Sequence, residues 1–261
     1  MHSLKSFRAL NAPFIAAIVQ ERSVEATIAN ILNAEHDGAK GFMVDLSFLP
    51  DSGRTPEALR RIFSASGRPM MPLVYRSGCM TPDRVTEDDR AQLMLSALDA
   101  GASSIDVMGN LFEPDAPREL AQDAYAVKRQ MALIEWIHAR GAEVLISSHM
   151  MEVLSAEEVL EHLMRQAERG ADIAKIITAC NTWEDIEESV RTLNLLRRKM
   201  KIPYIYLCNG KLGRFQRFFA PTMGSMLNFG VTAYNEISQG AQPTIRSAAT
   251  VLHEMSWHMD D

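Results

Sequence analysis

Gly170-Ala171-Asp172-Ile173-Ala174-Lys175-Ile176-Ile177-Thr178 is a short apolar run with one lysine in its middle. A strand buried on both faces offers no water to an ammonium group, so Lys175 either points into a polar site or sits there neutral. A desolvated lysine with a lowered pKa is a nucleophile. An edge strand whose lysine snorkels to solvent accounts for the same residues, and this segment alone does not separate the two readings.

The rest of the chain repeats the pattern. Short β-type runs stand at Phe14–Val19, Gly41–Leu46, Met70–Arg76, Ser103–Gly109, Ala142–His149, Ile173–Thr178, Tyr204–Gly210 and Met226–Thr232. Helical patterns separate them. Thr55-Pro56-Glu57, Ser155-Ala156-Glu157-Glu158 and Thr182-Trp183-Glu184-Asp185 read as helix N-termini. Gly101, Gly141 and Gly170 fall between a helical stretch and the next strand, where a left-handed cap is wanted. Eight β-then-α units predict an α/β fold, a single (β/α)8 TIM barrel over residues 1–261 with right-handed crossovers. An open doubly wound sheet would use the same units. No GxGxxG follows the first strand, and Gly210-Lys211-Leu212-Gly213 is too short for a phosphate loop.

Composition excludes several classes. The 261 residues are 47% hydrophobic and 23% charged, with net charge −6 and a pI near 5.7. Acidic and basic residues are interspersed, which speaks against a nucleic-acid face or a membrane-surface patch. No apolar run approaches the roughly 20 residues that span a bilayer. The start, Met1-His2-Ser3-Leu4-Lys5-Ser6-Phe7-Arg8, lacks the apolar core of a signal peptide, so the expected location is the cytoplasm. Cys79, Cys180 and Cys208 form neither a CxxC pair nor a disulfide framework. His253-Glu254-Met255-Ser256-Trp257-His258 spaces its histidines by five, whereas zincin chemistry needs HExxH with four. It reads as a terminal helix.

A barrel puts its chemistry at the C-terminal ends of strands and in the loops after them. Polar residues collect there: Asp45 on strand 2, Arg76 at the end of strand 3, Asp106 in strand 4, His149 ending strand 5, Lys175 in strand 6 and Asn209 ending strand 7. A basic loop, Gly210-Lys211-Leu212-Gly213-Arg214-Phe215-Gln216-Arg217, follows strand 7, and Asn235-Glu236-Ile237-Ser238-Gln239-Gly240-Ala241-Gln242 follows strand 8.

At these residues the chain resembles type I 3-dehydroquinate dehydratase, a (β/α)8 enzyme that uses a lysine Schiff base and neither metal nor other cofactor. The resemblance implies that Lys175 is the Schiff-base lysine. His149, in Ser147-Ser148-His149, would be the acid/base. It also implies that Arg76 and Arg217 bind substrate, Arg217 through a carboxylate, and that Ser238 and Gln242 belong to a lid after strand 8. Relatives of this kind are commonly homodimers, so a homodimer acting on a small keto acid is expected. The tail around Trp257 is a candidate interface element.

The sequence also departs from the family. The strand-2 pattern Glu-x-Arg-x-Asp reads here Gly41-Phe42-Met43-Val44-Asp45, and the strand-4 Asp-x-Glu reads Asp106-Val107-Met108. Met150-Met151 replaces an Asp-Phe pair, and Asn209 stands where methionine is usual. Met43, Met108 and Met151 would make a softer wall. Asp45 and Asp106 read as groups that orient the arginine, lysine or histidine. Unpaired buried polar groups cost about 1–3 kcal/mol each, so a hydroxylated ring would lose affinity on that side. The expected reaction is elimination of water from 3-dehydroquinate or a less hydroxylated cyclic keto acid. A class I aldolase would use the same lysine, and a non-catalytic keto-acid sensor would keep the carboxylate clamp without the imine.

Overall fold

A computed structural model describes residues 5–76, 85–236, 240 and 242–255. The strands are β1 (Phe14–Val19), β2 (Gly41–Asp45), β3 (Met70–Leu73), β4 (Ser104–Met108), β5 (Glu143–His149), β6 (Ile173–Ala179), β7 (Tyr204–Asn209) and β8 (Leu227–Gly230). The main helices are α1 (Val24–His36), α2 (Pro56–Phe63), α3 (Glu87–Asp99), α4 (Ala124–His138), α5 (Ala156–Glu168), α6 (Trp183–Lys199), α7 (Gly213–Phe219) and α8 (Ile245–Met255). Each follows the strand of its own number, the arrangement expected of a (β/α)8 barrel.

All pairings are parallel, and they form two four-stranded sheets, β3-β2-β1-β8 and β4-β5-β6-β7. Backbone hydrogen bonds cross both seams between them. Ser103 N–H donates to the Met70 carbonyl at 3.0 Å, beside β3 and β4, and Met226 N–H donates to the Tyr204 carbonyl at 2.8 Å, beside β7 and β8.

Alternation along the strands sorts side chains into two cores. Ile15, Ala17 and Val19 of β1, with Phe42 and Val44 of β2, pack in the cluster that includes α1 and α2 residues. Ala16, Met43, Met71, Leu73 and Leu145 join a second cluster with Phe7 and Phe14. A Cβ at Gly41 would meet the Phe7 ring at 2.5 Å, so the start of β2 is filled by an aromatic side chain from the N-terminal segment. Part of the expected loss of polar groups on strand 2 is therefore a loss to packing.

Local signals act as the sequence predicts. Thr55 Oγ1 accepts from Ala58 N–H, and the Ser155/Glu158 and Thr182/Asp185 pairs form reciprocal capping boxes. Thr86/Asp89 forms another that the sequence reading did not single out. Gly101 and Gly170 adopt φ of 111° and 98°, where a side chain would be strained.

Most strands differ from the expected runs by a residue or two at an end, and β3 and β8 fall furthest short. β3 ends at Leu73 and leaves Arg76 three residues beyond it, on a backbone whose Val74 and Tyr75 carbonyls accept from Arg90 Nη1. β8 ends at Gly230, because Val231 bridges instead to Thr244 before α8. Among the described residues no helix is long and apolar enough to cross a membrane. Cys79, Ser238, Trp257 and His258 lie outside the described residues.

Candidate active site

Lys175 sits in β6, paired in register with Ser147 of β5, and is 3% exposed. Burial pushes its ammonium pKa down, against the pull of the Asp106 carboxylate, and the Arg217 charge adds to the lowering. The Lys175 Nζ to Asp106 Oδ2 contact is long, 3.5 Å, so the carboxylate neutralises the site without closely engaging the nitrogen. The Phe229 ring lies 5.1 Å away. The snorkelling alternative is thereby removed: this lysine ends inside the barrel. Gln166 of α5 holds the strand in place, accepting from Lys175 N–H at 2.9 Å and donating to its carbonyl at 3.0 Å.

His149 ends β5 with its ring half-buried. Its Nδ1 lies 2.6 Å from Tyr75 Oη and 3.3 Å from Glu119 Oε2. Glu119 Oε2 also accepts from the His149 backbone N–H at 2.7 Å. Burial and the Lys175 charge lower the histidine pKa, while Glu119 works against them. Burial disfavours the Glu119 carboxylate, yet hydrogen bonds and charge from His149, with the charge of Arg76, leave its pKa below the usual range. The tyrosine ring meets the imidazole edge-on, with centroids 4.9 Å apart.

Glu119 and Tyr75 are what the sequence reading missed. The carboxylate absent from strand 4 at Met108 is present in space, delivered by the loop after β4. That loop bends through three non-glycine residues in the left-handed region, Phe112 (φ 72°), Arg118 (φ 55°) and Glu119 (φ 49°), a strain that concentrates at functional sites. Gly109 admits it: a Cβ there would collide with the Glu119 carbonyl and stand 2.6 Å from Ser148 Oγ. A glycine ending strand 4 was the available signal. Nothing in the spacing of Glu119 and His149 ties them together.

Arg217 of α7 is buried, and burial pushes its pKa down to about 10. Its Nε donates to the Cys208 carbonyl at 2.7 Å and its Nη2 to Asn209 Oδ1 at 2.9 Å. Nη1 has no hydrogen-bond partner among the described residues. Asn209 thus orients Arg217. Arg76 is engaged differently: Nε and Nη2 donate to Glu87 at 3.0 and 2.5 Å, and Nη1 and Nη2 to Asn110 Oδ1 and its carbonyl at 2.8 and 3.1 Å. Its planar fork is matched by Glu87, while the residue still lines the cleft beside His149.

Met108 lines a cleft of about 380 Å³ with Tyr75, Arg76, Asn110, Glu119 and His149. Met43 is buried in the barrel core, and Met151, expected as a wall, is 71% exposed. Gln242 is half-buried, and the helix after it is capped by Thr244, whose Oγ1 accepts from Ser247 N–H at 3.4 Å.

Asp45 does not contact the lysine, the histidine or either arginine as expected. Its Oδ1 accepts from Ser47 Oγ at 2.6 Å and its Oδ2 from Gln20 Nε2 at 3.1 Å. Burial pushes its pKa up to about 6. A raised carboxyl pKa stabilises the fold below the unfolded value near 3.9 and loses that contribution as pH rises through 6. Asp45→Asn should therefore gain stability relative to wild type on going from pH 4 to pH 8, by up to about 3 kcal/mol. Urea midpoints of both proteins at the two pH values check it. An unchanged difference would mean that Asp45 titrates normally.

Fold and mouth together define a (β/α)8 barrel whose polar centre is a buried lysine beside a carboxylate and a histidine. The chain belongs to the type I 3-dehydroquinase family, whose model matches residues 15–258. Curated relatives include the 3-dehydroquinate dehydratase of Alkaliphilus oremlandii, 36% identical over 100 residues, 38% of this chain and 39% of that protein. The 3-dehydroquinate dehydratase of Desulfotalea psychrophila is 27% identical over 161 residues, 61% of this chain and 65% of that one. These matches thus span less than two thirds of each relative's length. The crystal structure of 3-dehydroquinate dehydratase from Geobacillus kaustophilus HTA426 superposes with a TM-score of 0.80 at 19% identity, covering 95% of this chain and 93% of that one. It has the same fold.

Proposed function

We propose that the protein is an imine-forming dehydratase that eliminates water from 3-dehydroquinate or a less hydroxylated cyclic keto acid. The observation that carries this reading is Lys175, buried in the barrel mouth with its pKa lowered and only a long contact to Asp106. A neutral amine there adds to a ketone, and the carbinolamine so formed loses water to become an iminium. The iminium draws electrons from the adjacent carbon, so His149 can remove its proton. The imidazolium then returns a proton to the departing β-hydroxyl, and hydrolysis of the imine frees Lys175. The net change is loss of one water.

Arg217 supplies the carboxylate anchor, because its Nη1 donors remain available while Asn209 fixes the guanidinium plane. The methionine at position 108 favours a substrate with fewer hydroxyls on that side. Ser238 and Gln242 would close over the bound acid. A cytoplasmic homodimer goes with this reading, and free thiols at Cys180 and Cys208 fit a reducing compartment.

The test is intact-mass spectrometry after borohydride treatment with 3-dehydroquinate and a panel of cyclic keto acids, with absorbance of the conjugated enone followed in parallel. A reduced adduct plus enone formation is expected from at least one acid. An adduct with enone from dehydroquinate alone would restrict the substrate to it. No adduct with any acid would overturn the reading in favour of a binding protein.

A further inference from the structure

His149 and Lys175 are linked by an unbroken line of hydrogen-bonding groups that the elimination itself does not require. His149 Nδ1 lies 2.6 Å from Tyr75 Oη, Tyr75 Oη 2.8 Å from Ser147 Oγ, and Ser147 Oγ donates to Asp106 Oδ1 at 2.5 Å. Asp106 Oδ2 then stands 3.5 Å from Lys175 Nζ. Ser147, Asp106 and Lys175 are all buried, and Tyr75 is half-buried against the imidazole.

Donor counting gives the line a direction. The Asp106 carboxylate can only accept, so it takes the single Ser147 hydroxyl hydrogen. Ser147 Oγ is then left to accept from Tyr75, whose one hydrogen is used, and Tyr75 Oη must accept in turn. The remaining donor is His149 Nδ1–H, which the neighbouring Glu119 carboxylate also favours from 3.3 Å. The histidine therefore keeps its hydrogen on Nδ1 and presents a bare Nε2.

We propose that Tyr75 and Ser147 form a proton wire between His149 and Asp106, which carries a proton to the carboxylate beside the Schiff-base lysine. The proposal rests on the imine reading above. When Nε2 takes a proton from the water that attacks the iminium, the Nδ1 hydrogen moves to Tyr75 Oη, the tyrosine hydrogen to Ser147 Oγ, and the serine hydrogen to Asp106 Oδ1. One proton arrives and one departs at each hydroxyl, so no tyrosinate forms. The net change is imidazolium plus carboxylate to imidazole plus carboxylic acid, and it runs in reverse equally well. Rotation of the Asp106 carboxyl turns that hydrogen toward Nζ, which must be protonated as the carbinolamine collapses to ketone, and imine formation runs the same line backwards, from Nζ to the departing hydroxyl at Nε2. Tyr75 and Ser147 are positioning and relay groups and touch no reacting atom.

Two measurements test this. The first is ¹⁵N NMR of the His149 ring in the free protein, in which Nδ1–H is expected for wild type. Loss of its strong hydrogen bond is expected in Tyr75→Phe, which keeps the ring but not the hydroxyl. A wild-type Nε2–H tautomer would overturn the wire whether or not an imine forms. The second is single-turnover imine formation in mixtures of H₂O and D₂O. Wild type should show a curved dependence on deuterium fraction. Tyr75→Phe and Ser147→Ala should each be slower by about tenfold with a linear dependence, and Ser147→Thr should restore the curvature. Slowing in Tyr75→Phe alone, with Ser147→Ala like wild type, would overturn the wire and reduce Tyr75 to a support for the imidazole. Absence of any trapped adduct in wild type would overturn the dehydratase reading instead, and the tautomer measurement would still decide the wire.

Discussion

Lys175→Ala is expected to lower turnover by roughly 10⁴-fold or more and to abolish the borohydride-dependent mass adduct. The size follows from what is removed. Without the amine the ketone cannot become an iminium, and the adjacent C–H keeps the low acidity of an ordinary ketone. Arg217 still offers its free donors, so binding of a keto acid should survive, and a calorimetric Kd separates this outcome from unfolding. Asp106 complicates the choice of variant, because the truncation leaves a buried carboxylate without its cationic neighbour. Lys175→Met fills more of the space, and the double variant Lys175→Met with Asp106→Asn removes the charge imbalance as well. Turnover near wild type in any of these folded variants would remove the lysine from the mechanism.

His149→Ala is the second large effect, about 10²–10⁴-fold in kcat, but with the opposite result in trapping. The imine forms on Lys175, and the histidine acts on the carbon next to it, so the reduced adduct should still accumulate, more slowly for loss of the relay's outer end, while enone does not. The pH profile should change with it. Burial and the Lys175 charge hold the imidazole pKa below its ordinary 6.5, so the base form persists through neutral pH and kcat/KM falls only on the acid side of that value. That acid limb should vanish in the variant. An acid limb preserved without the imidazole would assign the titration to another group, and Glu119 is the nearest candidate.

Much of this architecture is legible in the chain because its signals are local. Apolar runs of four to seven residues, Thr and Ser caps three residues ahead of an acid, and glycine before a strand each state their meaning within a dozen positions. Lys175, His149 and Asp106 come together because a barrel brings the ends of neighbouring strands to one mouth. What the sequence hid depends on loops. Glu119 reaches His149 across a stretch that follows β4, through left-handed residues whose identities, Arg118 and Glu119, give no hint of it. Arg76 is claimed by Glu87 of α3, eleven residues on, and Asp45 by Gln20, twenty-five residues back. An arginine or an aspartate at a strand end carries the same letter whether it faces substrate or a neighbour. Tyr75 was passed over for the same reason, since one tyrosine after a strand is ordinary until its hydroxyl is located.

The seams in the sheet have a mechanical meaning. Asp106, Ser147, His149, Lys175 and Asn209 all stand on β4-β5-β6-β7, a continuous ladder of paired strands, whereas Asp45 stands on the other sheet. Where the sheets meet, pairing thins to the Met70–Ser103 and Tyr204–Met226 contacts at the end of the barrel away from the mouth. Near the mouth the β3–β4 seam is closed by side chains instead: Tyr75 Oη meets Ser147 Oγ and His149 Nδ1, and Arg76 Nη1 donates to Asn110 Oδ1. The spacing of amine, imidazole and carboxylate is therefore fixed within one ladder of strands, and the segment after β3 clasps the other sheet to it through the same tyrosine that touches the imidazole.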